Sequence, residues 1–105
     1  MPLPPALTEE QRRAALEKAA IARRKRAELK EELKAGRTTL RELLDRTSDD
    51  IVGKMKVSTV LESLPGVGRV RARKIMERLE ISESRRMRGL GAKQKTNLLA
   101  EFAGR

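Results

Sequence analysis

The segment LPGVGRVRARKIMERL, residues 64–79, combines residue types that bind phosphate. Gly66 and Gly68 stand on either side of Val67, and glycine both adopts positive φ and lets another backbone approach closely. The N–H groups that begin the next helix face outward with the positive end of the helix dipole, which favours anions. The first two turns of that helix carry Arg69, Val70, Arg71, Arg73 and Lys74. The pattern favours a turn that holds a nucleic-acid backbone without reading its bases.

The same two glycines would also suit a tight corner between two helices, with no ligand involved. Pro65 before the glycines and the basic helix start after them favour the phosphate-binding interpretation. A second basic segment, which we call the basic turn, spans residues 85–89 and contains Arg85, Arg86 and Arg88. Arginines so close together rarely face a core. We therefore expect this turn to be exposed, either solvated or in contact with phosphate.

The charge balance indicates a polyanionic partner. The chain of 105 residues has 25 Lys and Arg against 15 Asp and Glu, a formal net charge of +10, which suits a protein that binds nucleic acid or an anionic surface. Residues 64–105 hold 11 basic and 4 acidic side chains, whereas residues 1–63 hold 14 and 11. Phe102 is the one aromatic residue, and a platform for stacked single-stranded bases needs several. A duplex or another folded backbone is the better expectation.

The composition excludes several classes of site. The sequence contains neither Cys nor His, which rules out the usual zinc sites, disulfides and catalysis by those side chains. Since no nucleophile–base pair is apparent, we expect no enzymatic activity, no cofactor and no metal. We recognise neither a signal peptide nor a membrane span. We therefore expect a cytoplasmic protein without a membrane partner, monomeric in solution.

Capping signals predict an all-α chain. Residues 1–7 are Pro-rich, and we expect them to be disordered in the free protein. Thr8 and Gln11 have the spacing of a capping box, which predicts the start of one long helix over residues 8–35. Gly36 suits its C-terminal end. The N-terminal half of this helix has mostly small apolar residues, so we expect it to project from the body of the protein.

Short helices are predicted for the remainder of the chain. We divide the chain into a Pro-rich start with a basic helical arm, residues 1–36, and a nucleic-acid-binding domain, residues 37–105. Within this domain we expect helices that begin at Thr39, near Ile51 and at Ser58, a helix from Gly68 to Leu79, a basic turn capped by Ser82 or Ser84, and a last helix over residues 92–103. No segment predicts a strand.

The glycine segment resembles the helix-hairpin-helix element, in which an apolar residue separates two glycines and an Ala follows. The matching residues are Gly66, Val67, Gly68 and Ala72. Residues 81–102 then supply, in order, the parts of a helix-two-turns-helix domain. With the Pro-rich start, the GKMKV segment at residues 53–57 and the RRMRGLG segment at residues 85–91, nearly the whole chain resembles the actinobacterial integration host factor family.

This resemblance implies a nucleoid-associated protein that binds duplex DNA with little sequence specificity. It further implies DNA bending and condensation, altered supercoiling and support of phage integration, with integrase complexes as additional partners. The resemblance places residues 65–68 at a minor groove and the arginines of the basic turn on neighbouring phosphates. A second DNA-facing side, for which solvated surface is the alternative, would use Arg23, Arg24, Lys25, Arg26, Lys54 and Lys56.

Two other classes of protein carry a similar hairpin. Ribosomal proteins of the small-subunit head have it near the N-terminus with a basic tail behind, whereas here a long arm precedes it. A structured-RNA-binding protein is therefore the alternative function. Formamidopyrimidine-DNA glycosylases also start with Met-Pro, but they use a Glu beside the freed Pro amine together with a zinc finger. Position 3 here is Leu3 and the chain has no Cys, so we do not expect this chemistry.

Overall fold

A computed structural model describes residues 7–102 of the protein. Within this range the chain forms six α-helices and one turn of 3₁₀ helix. They are α1 (Glu9–Lys34), α2 (Leu40–Leu44), α3 (Asp50–Lys54), α4 (Val57–Ser63), α5 (Gly68–Arg78), the 3₁₀ turn (Met87–Gly89) and α6 (Ala92–Glu101). The predicted all-α class is confirmed. The expectation of disorder in the Pro-rich start concerns residues that, apart from Leu7, lie outside the described range.

The long helix α1 begins and ends where its caps predict. The Gln11 N–H donates to Thr8 Oγ1 and the Thr8 N–H donates to Gln11 Oε1, each at a distance of 3.0 Å, so the capping box is present. Gly36, with φ +74°, follows the helix end. Residues 9–21 are all exposed, whereas Leu29 and Leu33 are buried. The first half of α1 therefore stands free of the body, and its last turns belong to the core.

The core is built almost entirely from Leu, Ile, Val and Met side chains. Every helix from α1 to α6 contributes to it. Helices α4 and α5 pack against each other, with Val60 and Leu61 on α4 and Ala72, Ile75 and Met76 on α5 all buried. This packing fixes the orientation of the segment that joins them, residues 64–67.

The start of α4 differs from the prediction. The helix begins at Val57, one residue before the expected cap Ser58, and its N-cap residue Lys56 makes no side-chain capping bond. The Val57 N–H instead donates to the Arg85 carbonyl at a distance of 2.9 Å, and the Met87 N–H donates to the Met55 carbonyl at 2.8 Å. The first N–H group of α4 is therefore hydrogen-bonded to the segment that contains Arg85, and not to a hydroxyl group near the helix start.

The predicted cap of the basic turn is wrong in a related way. The 3₁₀ turn follows Arg86, which makes no side-chain capping bond. Ser82 Oγ accepts from the Ser84 N–H over 3.3 Å, so these serines stabilise the bend before the turn. The pairing of Lys56 with Arg86 is an isolated antiparallel bridge, and the described residues otherwise contain no strand.

Helices α2 and α3 start at local caps. Thr39 Oγ1 accepts from the Glu42 N–H over 3.2 Å, as the sequence predicts. Asp49 caps α3, because its Oδ1 accepts from the Ile51 and Val52 N–H groups over 2.8 and 3.1 Å. These backbone hydrogen bonds, first that of Val52, hold the pKa of Asp49 below its usual value of 3.8. Through residues 7–102, no helix has the length and apolar character needed to cross a bilayer.

Candidate nucleic-acid interface

The hairpin between α4 and α5 leaves its backbone open to the outside. Gly66 and Gly68 have φ of +74° and +71°, a region that residues with a side chain rarely adopt. A Cβ built at either glycine would have no neighbouring atom within 4 Å. The glycines are therefore not required by close packing of two helices. They supply the positive φ and leave a free path to the backbone.

The N-terminus of α5 lies at this hairpin. Its N-cap residue Val67 makes no side-chain capping bond, so the first N–H groups of an 11-residue helix stay available. The Val67 side chain is buried and anchors the hairpin in the core. Pro65 is exposed, and Val70 is 69% exposed although it is apolar. The hairpin thus offers N–H donors and small apolar groups to a partner.

All four cationic side chains of the early part of α5 are exposed. Two of them pair with carboxylates. Arg69 Nε lies 3.8 Å from Glu62 Oε1, and Arg73 Nε lies 3.4 Å from Glu83 Oε1. The two remaining cations, Arg71 and Lys74, make no ion pair within the part of the chain that the structure describes.

The basic turn is exposed and is braced by its own arginines. Arg85 Nη1 donates to the Gly89 carbonyl over 3.0 Å, and Arg86 Nη1 donates to the Lys54 carbonyl. Arg88 Nη2 lies 3.5 Å from Asp50 Oδ1. Because the isolated bridge joins this turn to the segment before α4, Lys54 and Lys56 lie beside it. We call this group of five cations the bridge surface: Lys54, Lys56, Arg85, Arg86 and Arg88.

The bridge surface and α5, which we call the hairpin helix because it follows the hairpin, border one groove. Lys56 from the bridge surface and Arg69 and Arg73 from α5 line it, together with Ser58, Glu62, Met76 and Glu83. The bridge surface thus meets the cations of α5 at this groove, through Lys56, and we call the two groups together the cationic surface. The lysines at 54 and 56, assigned from sequence to a second side, lie on this same surface.

The basic cluster of α1 does not act as a unit. Arg23 and Arg26 line a groove with Met55 and Thr59, next to the bridge surface. Lys25 lines a different groove with Asp49, and Arg24 is exposed on the arm. Consecutive residues of a helix are rotated by about 100°, so four in a row cannot share a face. Two of the four, Arg23 and Arg26, thus share a groove with Met55, the residue between Lys54 and Lys56.

Two residues of the interface escaped the sequence analysis. Asp50 forms ion pairs with two basic side chains, since its Oδ2 lies 3.4 Å from Lys54 Nζ while its Oδ1 faces Arg88. Gly53 is buried in α3, and a Cβ there would lie 2.4 Å from the Thr47 carbonyl oxygen and 3.4 Å from Arg88. The i,i+4 spacing of Asp50 and Lys54 was a visible signal for the first. No sequence pattern signals the second, because it depends on how the Thr47 carbonyl folds back against α3.

These helices and their hairpin define a small helix-two-turns-helix protein, and the family model of the S13-like H2TH domain matches residues 33–102. The integration host factor of Streptomyces coelicolor is 62% identical over 103 residues, covering 97% of this chain and 95% of that protein. The integration host factor of Mycobacterium tuberculosis is 60% identical over 99 residues, covering 93% and 94%. The chain belongs to the actinobacterial integration host factor family.

A solved structure gives the same result for the fold. The structure of sIHF bound to an 8-bp palindromic DNA superposes with a TM-score of 0.80 at 59% sequence identity. The match covers 83% of this chain and 99% of that one. The relative in that structure is bound to DNA.

Proposed function

We propose that this protein is a non-enzymatic, nucleoid-associated protein that binds duplex DNA through the hairpin and the bridge surface. The observation that carries the proposal is the geometry of Gly66 and Gly68, which leaves the hairpin backbone open at the N-terminus of α5. A phosphate approaching there meets free N–H donors and the helix dipole. Family membership and the DNA-bound relative support the same conclusion.

The cationic surface suits a duplex more than a single strand. It combines cations of α5 with those of the bridge surface, and no aromatic residue lies among the side chains that line the groove between them. Contacts of this kind bind phosphates and carry little base information. We therefore propose binding with little sequence specificity, in the cytoplasm, on the nucleoid.

The test is a competition between duplex DNA and structured RNA for the full-length protein, repeated over a range of salt concentrations. If the protein neutralises about 4–6 phosphates, the slope of log K against log salt will be roughly −4 to −5. Scrambled duplexes should bind almost equally. A flat salt response, or a preference of more than about a hundredfold for one sequence, argues against counterion-driven backbone binding.

Bending of the duplex is the second part of the proposal. Pro65 is exposed beside two glycines that face open space, and apolar wedges at minor-groove contacts commonly kink DNA. The bridge surface, with Arg23 and Arg26 next to it, would hold the duplex on the other side of the kink. Effects on supercoiling and support of phage integration would follow from such bending.

Bending can be measured separately from binding. Fluorescence transfer between the ends of a short duplex should rise when the protein binds. The Pro65→Ala variant should keep most of the affinity and show a smaller rise. If the duplex stays straight when it is saturated with the wild-type protein, the protein coats DNA without bending it, and the architectural role is wrong.

Binding of structured RNA is the second candidate function. The matching family model is described as S13-like, and ribosomal proteins carry a similar hairpin. The competition experiment decides between the two, because a ribosomal-type protein would prefer the RNA at every salt concentration.

A further inference from the structure

Two carboxylates lie inside the cationic surface, and each faces a different arginine of α5. Glu62 comes from α4 and pairs with Arg69 at 3.8 Å, and Glu83 comes from the bend after α5 and pairs with Arg73 at 3.4 Å. Both carboxylates line the groove that joins the hairpin helix to the bridge surface. Lys56 also borders that groove.

These ion pairs are weak enough to exchange. The Arg69 and Glu62 side chains are 77% and 36% exposed, and those of Arg73 and Glu83 are 64% and 74% exposed. Pairs in such positions contribute little to folding stability, because water and salt screen them. A phosphate, by contrast, offers an arginine a bidentate, charge-assisted contact.

We propose that Glu62 and Glu83 compete with DNA phosphates for Arg69 and Arg73, and thereby limit the affinity of the protein for duplex DNA. This inference rests on the proposed function. Each arginine exchanges a carboxylate for a phosphate when DNA binds. The released carboxylate stays in the groove beside the duplex and repels it. The two glutamates thus weaken binding twice, first by occupying the arginine and then by like-charge repulsion.

The helix itself provides an internal comparison. Arg71 and Lys74 lie on the same helix without an ion pair among the described residues, so they are available to phosphate from the start. Of the four cations in the early part of α5, the two that border the groove are paired with carboxylates; Arg78, at the end of the helix, pairs with Glu101 away from this groove. The carboxylates that reduce the affinity therefore lie where the hairpin helix and the bridge surface meet.

The test uses the variants Glu62→Gln and Glu83→Gln and the double variant, with Glu31→Gln as the control. Glu31 is an exposed residue of α1, two positions from both Leu29 and Leu33 and so on the opposite face of that helix. All single variants change the net charge equally. We expect each groove variant to bind a short duplex about twofold to fivefold more tightly, the range that corresponds to an exposed ion pair. The control should change much less, and the double variant should show roughly the product of the two single effects.

A double-mutant cycle separates competition from a general charge effect. In the Arg69→Gln background, Glu62→Gln should lose the part of its effect that comes from releasing the arginine and keep only the part that comes from removing the repulsion. Glu83→Gln should keep its effect there. Thermal melting of every variant shows whether it is folded, and we expect shifts of no more than a few degrees.

Three results would overturn the inference: groove variants that match the Glu31→Gln control, groove variants that bind more weakly than wild type, and an unchanged Glu62→Gln effect in the Arg69→Gln background. The second would mean that the carboxylates position the arginines for DNA. The proposed function fails in a different way, namely when the wild-type protein does not bind duplex DNA.

Discussion

The open space beside Gly68 makes this position a sharp test of the hairpin. Gly68 has φ +71°, and a Cβ placed there would meet no atom of the protein within 4 Å. Gly36 has the same properties, with φ +74° and no neighbour within 4 Å, but it follows α1. Gly36→Ala therefore imposes a similar backbone strain outside the hairpin, which makes it the matched control for Gly68→Ala and Gly68→Asp.

The cost to stability follows from the backbone alone. A side chain in the left-handed region costs about 1–2 kcal/mol, which lowers the melting temperature by roughly 4–16 °C for a domain of this size. We expect Gly36→Ala and Gly68→Ala to fall in the same range. Gly68→Asp should be milder, because Asp enters this region more readily than Ala does.

The cost to binding should separate the three variants. In Gly68→Asp a carboxylate faces the approaching phosphate, and two unit charges about 4 Å apart repel by about 1 kcal/mol in water and about 4 kcal/mol near a protein surface. The expected loss of affinity lies between about fivefold and a thousandfold. Gly68→Ala should lose less, because it adds bulk without charge. Gly36→Ala should bind as the wild type does.

Fluorescence anisotropy with a labelled duplex gives the affinities, and circular dichroism at the same temperature shows that each variant is folded. Our reasoning would be refuted if folded Gly68→Asp bound DNA like the wild type. Equal loss of affinity in Gly36→Ala and Gly68→Ala would assign the effect to strain rather than to contact.

Four further outcomes are expected. Replacing the three arginines of the basic turn with Ala should weaken binding to all duplexes alike and flatten the salt slope; the protein should stay folded because these side chains are exposed, with a small drop in melting temperature from loss of their contacts within the turn and to α3. Gly53→Ala should lower the unfolding free energy by about 1–3 kcal/mol in denaturant titrations, since its Cβ would lie 2.4 Å from the Thr47 carbonyl oxygen. Asp49→Ala should lose about 1 kcal/mol at neutral pH. The wild type should lose this advantage as the pH falls below 3.8 and through the lowered pKa of the folded protein, so the two melting curves should converge in acid. Removal of residues 1–20 should leave melting nearly unchanged, whereas removal of residues 1–35 also takes two core leucines, at about 2–5 kcal/mol each, and should weaken DNA binding without abolishing it.

Local chemistry made part of the fold predictable. The capping box of Thr8 and Gln11 and the stop at Gly36 fixed α1 to within a residue or so of its observed ends. The two glycines at 66 and 68 identified the hairpin, because glycine adopts positive φ readily whereas other residues rarely do. These features depend on neighbours in the chain, which a sequence displays directly.

Contacts between distant segments could not be predicted in this way. Lys56 and Arg86, which form the isolated bridge, are far apart in the chain, and a bridge of one residue pair has no periodicity. That bridge moved the start of α4 away from Ser58 and brought the lysines beside the basic turn. The need for glycine at position 53 was equally hidden, since it becomes visible only when the Thr47 carbonyl oxygen is seen to lie against α3.

The most direct test of the central claim is a nuclear magnetic resonance titration of the labelled protein with a short duplex. We predict the largest shifts for the backbone N–H groups of residues 66–70 and for those of the bridge surface, in 54–58 and 85–89. The groove that contains Lys25 and Asp49 should shift little. Shifts confined to that groove or to residues 9–21, with the hairpin unchanged, would contradict the claim that DNA binds at the open glycines.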